Sequence, residues 1–130
     1  MQETTSQGVL QHKSELSFND TISALKDKLN AMEFTIIAEV DHSAAAEKVN
    51  MTLLPTRLII FGKPIGGTPL IQETSLFALD LPLKLLINED INGDVFISFN
   101  DPVYLAQRHG VDVDNSAILM MKNAIEKIAQ

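Results

Sequence analysis

The chain of 130 residues has no cysteine, no tryptophan and a single tyrosine. The missing cysteine rules out a disulfide framework, a thiolate nucleophile and zinc or iron–sulfur sites held by thiolates. Aromatic residues make up only 5% of the sequence. Positive charge is also scarce: ten Lys and Arg, scattered along the chain, face 17 Asp and Glu, for a net charge of −7. Binding to phosphate backbones needs clustered basic residues, so no nucleic-acid partner is expected. No apolar run approaches the roughly 18–20 residues of a membrane-spanning helix, so no membrane partner is expected either. The opening "MQETTSQG" lacks the charged and apolar segments of a signal peptide, which suits the cytoplasm, or the periplasm if a leader has been removed. There is no linker, repeat or low-complexity tract. One domain over residues 1–130 is expected, with residues 1–7 flexible.

What is present is a core-forming composition, 45% hydrophobic. At this size roughly two-thirds of the surface exposed by the unfolded chain is buried on folding. "GVLQHKSELS" alternates and predicts a strand, with Val9, Gln11 and Lys13 on one face and Leu10, His12 and Ser14 on the other. Ile22, Leu25, Leu29 and Met32 recur at helical spacing behind a cap at Asn19 or Asp20. "FTIIAEV" predicts a second strand, and "SAAAEKVN" a short helix capped by Ser43. "TRLIIFGK" predicts a third strand, and "TPLIQETSLFAL" a helix with Thr68 as cap and Pro69 in its first position. "PLKLLINED" and "DVFISFND" predict two more strands joined by a type I′ turn at Asn92-Gly93. A short helix from Asp101-Pro102 and a last one after Asn115 or Ser116 complete the order β-α-β-(α)-β-(α)-β-β-α. One tight hairpin and no repeating βαβ unit predict an α+β fold, a mostly antiparallel sheet with helices packed on one face.

The stretch "FGKPIGGTPL", Phe61 to Leu70, comes closest to a chemical motif. Gly62, Gly67 and Thr68 nearly spell a phosphate-binding loop between a strand and a helix. The lysine that would neutralise the outer phosphates is absent from its place before Thr68, so nucleotide hydrolysis is rejected. A milder reading keeps the N–H groups around Gly67 and Thr68, with Lys63 nearby, as an anion site at a helix start. The plainer alternative is a turn whose glycines ease the backbone.

"DHSAAAEK" sets His42 near Glu47 and Lys48, either of which could complete an acid/base pair, since histidine titrates near neutrality; a strand-end histidine beside a cap is the alternative. His12, His42 and His109 share no ligand spacing, so no metal or other cofactor is called for. "DINGD" resembles part of a calcium loop but lacks its glycine and glutamate, and a hairpin turn explains it better. In "LDLPLK", Asp80 and Lys84 could pair across Pro82, lining a polar pocket or fixing a turn. In "FNDPVYLAQRHG", Tyr104 and Arg108 stand four apart on a helix, with His109 next, as ligand contacts or as an ordinary amphipathic turn. Of Met120 and Met121, one is expected in the core or at an interface.

Together "VDHSAAAEKV", "LIIFGKPIGGTPLIQE", "ALDLPLKLLINED" and "SFNDPVYLAQRHG" resemble the domain-of-unknown-function family 302, over roughly Phe18 to Gln130. The runs at Phe61 to Leu70 and Asp80 to Lys84 carry the resemblance best. It implies a compact TATA-binding-protein-like fold, β-α-β(4)-α in outline, and homodimers, with no catalytic residues to carry over. Similar sequences tend to have aromatics at Asn88 and Phe96, and Tyr at Phe99, so a ligand surface built on those rings would be altered here.

The first functional expectation is a non-catalytic domain that dimerises and binds a small molecule between the sheet and the loop at Gly62 to Pro69. Its candidate contacts are His42, Lys63, Gly67, Thr68, Asp80, Lys84, Tyr104 and His109. An enzyme with His42 as general base is the alternative, and a module that only binds other proteins through the sheet is the third.

Overall fold

The computed structural model describes residues 2–130, with side chains from residue 7 onward. Six strands form one antiparallel sheet: β1 (Gln2–Ser6), β2 (Val9–Ser14), β3 (Thr35–Asp41), β4 (Thr56–Gly62), β5 (Leu83–Glu89) and β6 (Val95–Asn100). Their spatial order is β1-β2-β6-β5-β4-β3. Five helices, α1 (Phe18–Ala31), α2 (His42–Glu47), α3 (Pro64–Glu73), α4 (Pro102–Arg108) and α5 (Ser116–Ala129), and a 3-10 helix at Ser75–Asp80 complete the α+β fold.

Strand periodicity decides which face is covered. Side chains alternate across a strand, so one set from each strand points to the helices. Ile59 and Phe61 of β4 lie opposite Leu85 and Leu83 of β5, and Ile87 lies opposite Ile97 of β6. All six are buried, under the apolar stripes Ile22, Leu25 and Leu29 of α1 and Ile118, Met121, Ile125 and Ile128 of α5. Strand β2 follows the predicted alternation, with Leu10, His12 and Ser14 paired to Phe99, Ile97 and Val95 on the covered side.

Several local expectations are corrected. Strand β1 joins the edge of the sheet through a sequence too polar and too short to announce itself. Helix α1 is capped by Ser17, whose hydroxyl accepts from the Asp20 N–H, and not by Asn19 or Asp20. Asp41, not Ser43, caps α2 through the Ala44 N–H. Ser43 Oγ instead accepts from the Thr56 N–H and donates to the Leu54 carbonyl, closing the loop into β4. The β5–β6 turn is not type I′, because only Gly93 has positive φ (82°) where that turn needs two such residues. It is organised by Asp90, whose Oδ1 accepts from the N–H groups of Asn92 and Asp94 at 2.9 and 3.0 Å.

Helix α3 differs most. It starts at Pro64, one turn before the predicted cap, so Pro69 lies inside the helix and not at its first position. Pro64 itself satisfies the preference for proline at a helix start. The internal Pro69 then forgoes one helical hydrogen bond, and Thr74 ends the helix before the 3-10 turn takes over.

Candidate functional site

Strand β4 delivers the glycine-rich run to a cavity of about 560 Å3 between the end of the sheet and helices α1, α3 and α5. Gly62, Lys63, Gly66, Gly67 and Thr68 line one wall, and Ala117, Met120, Met121 and Ala124 of α5 line another. Met32, Phe34 and Ile37 come from the end of α1 and the start of β3. The glycines make part of the room: a Cβ on Gly67 would stand 3.2 Å from Leu81 Cδ1, and one on Gly66 would meet nothing within 4 Å. The volume lies within the usual range for small-ligand sites.

The same geometry removes the anion reading of this loop. Because α3 begins at Pro64, the Gly67 N–H is not an open helix end; it donates to the Lys63 carbonyl at 3.1 Å, as does the Gly66 N–H at 2.9 Å. Thr68 sits a turn inside the helix with its N–H in the helical register. Lys63 is also engaged. Its Nζ donates to the carbonyl of Met32, the C-cap of α1, at 2.6 Å, and lies 4.5 Å from the centre of the Phe34 ring. Positive charge at the end of α1 complements its dipole, so Lys63 closes that helix.

Of the other expected contacts, only Asp80 and His109 meet. Asp80 does not pair with Lys84. The strand period turns Lys84 to the uncovered face of the sheet, opposite Ile60, while Asp80 closes the 3-10 turn on the helical side. Asp80 Oδ2 lies 2.5 Å from His109 Nε2, and both its oxygens accept from Arg108 Nη1 at 2.9 and 3.0 Å. The His109 ring rests on Phe77, centroids 4.9 Å apart. This cluster pins the 3-10 turn to the end of α4 and does not line the cavity beside α3. Tyr104 points elsewhere, its ring against Gly8 in the β1–β2 turn. His42 is exposed at the start of α2 and makes no side-chain hydrogen bond among the described residues.

A second cavity, about 730 Å3, opens between β2, α1 and the end of α5. Some of its polar groups are engaged: Ser14 and Thr21 share a 2.6 Å hydrogen bond, and Lys28 donates to the carbonyls of Ile128 and Gln130. His12 lines it, with a buried Nε2 that has no partner. Burial lowers its pKa, against the smaller opposing pull of Glu126. A histidine held neutral in this way binds fewer protons than in the unfolded chain. Stability is therefore expected to fall as pH drops from about 6.5 toward the folded-state pKa. Glu39 and Asp41 lose their contribution only at lower pH. Burial raises the Glu39 pKa, but hydrogen bonds and charge from Lys26 and Arg57 lower it further; the Ala44 N–H and Arg57 hold Asp41 down. The melting temperature of His12→Phe should thus change less than that of the parent between pH 7 and pH 5. Equal slopes for the two proteins would show that His12 does not carry the effect.

Sequence reasoning located the glycine wall but not its partners. Phe34, Ala117, Met120 and Ala124 reach the cavity only through tertiary packing, and nothing in their local spacing marks them. Met120 and Met121 divide as expected, Met121 9% and Met120 66% exposed.

The sequence profile of the domain of unknown function DUF302 matches residues 10–128. The chain belongs to this family. A crystal structure of the uncharacterised conserved protein DUF302 from Bacillus stearothermophilus shares the DUF302 fold. Its TM-score is 0.85, over 95% of this chain and 97% of that one, at 15% identity. A protein of Brucella suis biovar 1 (strain 1330), named fluoride-specific ion channel FluC 1, is 38% identical over 112 residues. The match covers 86% of this chain and 44% of that protein. A protein of the same name from Brucella abortus biovar 1 (strain 9-941) is also 38% identical, with 42% of its length covered. The DUF302 chain thus spans less than half the length of the curated relatives it matches. Among its described residues, no helix is long and apolar enough to cross a membrane.

Proposed function

We propose that this DUF302 chain is a non-catalytic domain that binds a small ligand in the cavity between the sheet and α3, and that pairs with a second copy of itself. The observation that carries the reading is the 560 Å3 cavity formed where Gly62, Gly66 and Gly67 stand back from the walls supplied by α1 and α5. Self-association is supported by the uncovered face of the sheet. There the register aligns Val40, Leu58 and Leu86 across three strands, with Ile60 and Phe96 beside them. An apolar row of that kind on an open sheet face is a surface for a partner.

In the Brucella relatives named as fluoride channels, this reading gives the matched segment a ligand-binding role beside conduction. The match covers under half of those proteins, so the rest of their length lies outside this reading. The enzyme alternative has less behind it, since His42 lines neither of the two cavities described above and, among the described residues, no carboxylate hydrogen-bonds to it.

Native mass spectrometry of gently purified protein tests the reading. The expected result is a dimer carrying a stoichiometric extra mass. Gly66→Trp, which fills the cavity from a position with free space, should lose the extra mass and keep the dimer. Leu86→Glu should give the monomer. An adduct that survives Gly66→Trp, or a dimer that survives Leu86→Glu, would place the corresponding surface elsewhere.

A further inference from the structure

We infer that the cavity beside α3 takes an uncharged, apolar small molecule and discriminates against an anion of the same shape. The inference rests on the cavity being a ligand site, as proposed above.

The argument is one of charge. Among the described residues, Lys63 is the only ionisable one on the cavity wall. Its ammonium already has the Met32 carbonyl at 2.6 Å and the Phe34 ring face at 4.5 Å. One of its N–H groups is committed to closing α1, and drawing the ammonium away toward a ligand would weaken that bond. The start of α3 offers little in its place. Pro64 has no N–H, and those of Gly66 and Gly67 both donate to the Lys63 carbonyl, leaving Ile65 alone in the first turn. Ile65 is 81% exposed, at the outer side of the helix. An anion taken into this site would find only a shared ammonium and the neutral hydroxyls of Thr35 and Thr68, and a charge so weakly paired is disfavoured out of water. A cation fares no better, because no Asp or Glu lines the wall.

The remaining surface suits a neutral molecule. Phe34, Ile37, Ile71, Leu81 and Leu83 supply fixed apolar contacts. Met32, Met120 and Met121 add an unbranched, polarizable wall that adapts to irregular shapes. The hydroxyls of Thr35 and Thr68 offer neutral hydrogen bonds to a single polar group. The helix that forms the near wall is also easily deformed. Gly66, Gly67 and the internal Pro69 all weaken it, and Leu70 is its one fully buried residue. Entry past α3 therefore disturbs little of the core.

Two fluorescent probes with the same aromatic body isolate the charge: N-phenyl-1-naphthylamine, which is neutral, and 8-anilinonaphthalene-1-sulfonate, which adds a sulfonate. Both are titrated against the full chain at pH 7. The neutral probe should bind, and the sulfonate should bind at least about tenfold more weakly, as a poorly paired anion requires. Gly66→Trp should weaken the neutral probe by a similar factor. Ala124→Phe, on the opposite wall, provides the same block from a different helix should Gly66→Trp perturb α3. Tighter binding of the sulfonate, with that preference lost in Lys63→Met, would overturn the charge inference and leave the cavity as a ligand site. No binding of either probe, or binding that neither blocking variant weakens, would overturn the site itself.

Discussion

Replacing Phe61 with alanine is expected to lower stability by about 3–5 kcal/mol, the usual cost of emptying a large aromatic site in a core. Phe61 has no exposed surface. It lies opposite Leu83 on one neighbouring strand and Ile36 on the other, and meets the Phe34 ring edge-on at 5.3 Å. Strands on both sides and helices above leave the gap little freedom to collapse. Against a typical total of roughly 5–15 kcal/mol, such a loss brings the chain close to unfolding at ambient temperature. Urea denaturation followed by circular dichroism measures it. Phe61→Leu keeps most of the volume and should cost no more than about 1.5 kcal/mol. A small effect of Phe61→Ala would mean that the Phe34 and Leu83 side chains close over the gap, and that the end of β4 is softer than its burial implies. The consequence would reach the site, because Phe61 anchors the strand that carries Gly62 and Lys63 to the cavity. Ligand affinity should therefore fall in Phe61→Ala even under conditions where the protein remains folded.

Much of this architecture was legible from residue periodicity. The alternation of β2 and the 3.6-period stripe of α1 each turn one face to the core, and the apolar, β-rich runs of β4, β5 and β6 marked them as strands. Burial rewards every residue in such a pattern, so single exceptions do not hide it. What escaped were features set by one local choice or by a distant partner. At α1, Ser17, Asn19 and Asp20 are all good caps, and sequence does not rank them; the Ser17 hydroxyl wins by reaching the Asp20 N–H. In the glycine run two prolines, Pro64 and Pro69, compete for one helix start. The earlier one prevails, and the later lies inside the helix at the cost of one hydrogen bond. Asp80 had a near neighbour of opposite charge in Lys84. The strand period sends Lys84 to the other face, and Arg108 and His109 arrive from 28 and 29 positions away. The glycine wall of the site was visible in "FGKPIGGTPL", whereas its apolar wall depends on how α5 crosses the end of the sheet. Residues such as Ala117 and Ala124 carry no sign of that in their own neighbourhood.

Gly8→Ala should be the most damaging of the small substitutions, at about 2–4 kcal/mol. Two separate costs add. Gly8 has φ +75°, where any residue with a Cβ is strained by roughly 1 kcal/mol or a little more. The added Cβ would also stand 2.4 Å from both Cγ and Cδ2 of Tyr104, at the root of the ring. Swinging the ring away is not cheap there, and overpacking of this kind costs about 1–3 kcal/mol. The Gly8 carbonyl accepts from the Asp101 N–H at 2.8 Å, and Asp101 caps α4. The same contact therefore joins the β1–β2 turn to the helix that carries Tyr104, Arg108 and His109. This packing is also why Tyr104, a candidate ligand contact by sequence, has its ring committed to the fold. A double-mutant cycle separates the two costs. In a Tyr104→Ala background the steric part vanishes, and Gly8→Ala should then cost only the backbone strain, about 1 kcal/mol. Equal costs in the two backgrounds would show that the ring yields freely. The tie between the β1–β2 turn and α4 would then rest on the single hydrogen bond from Asp101.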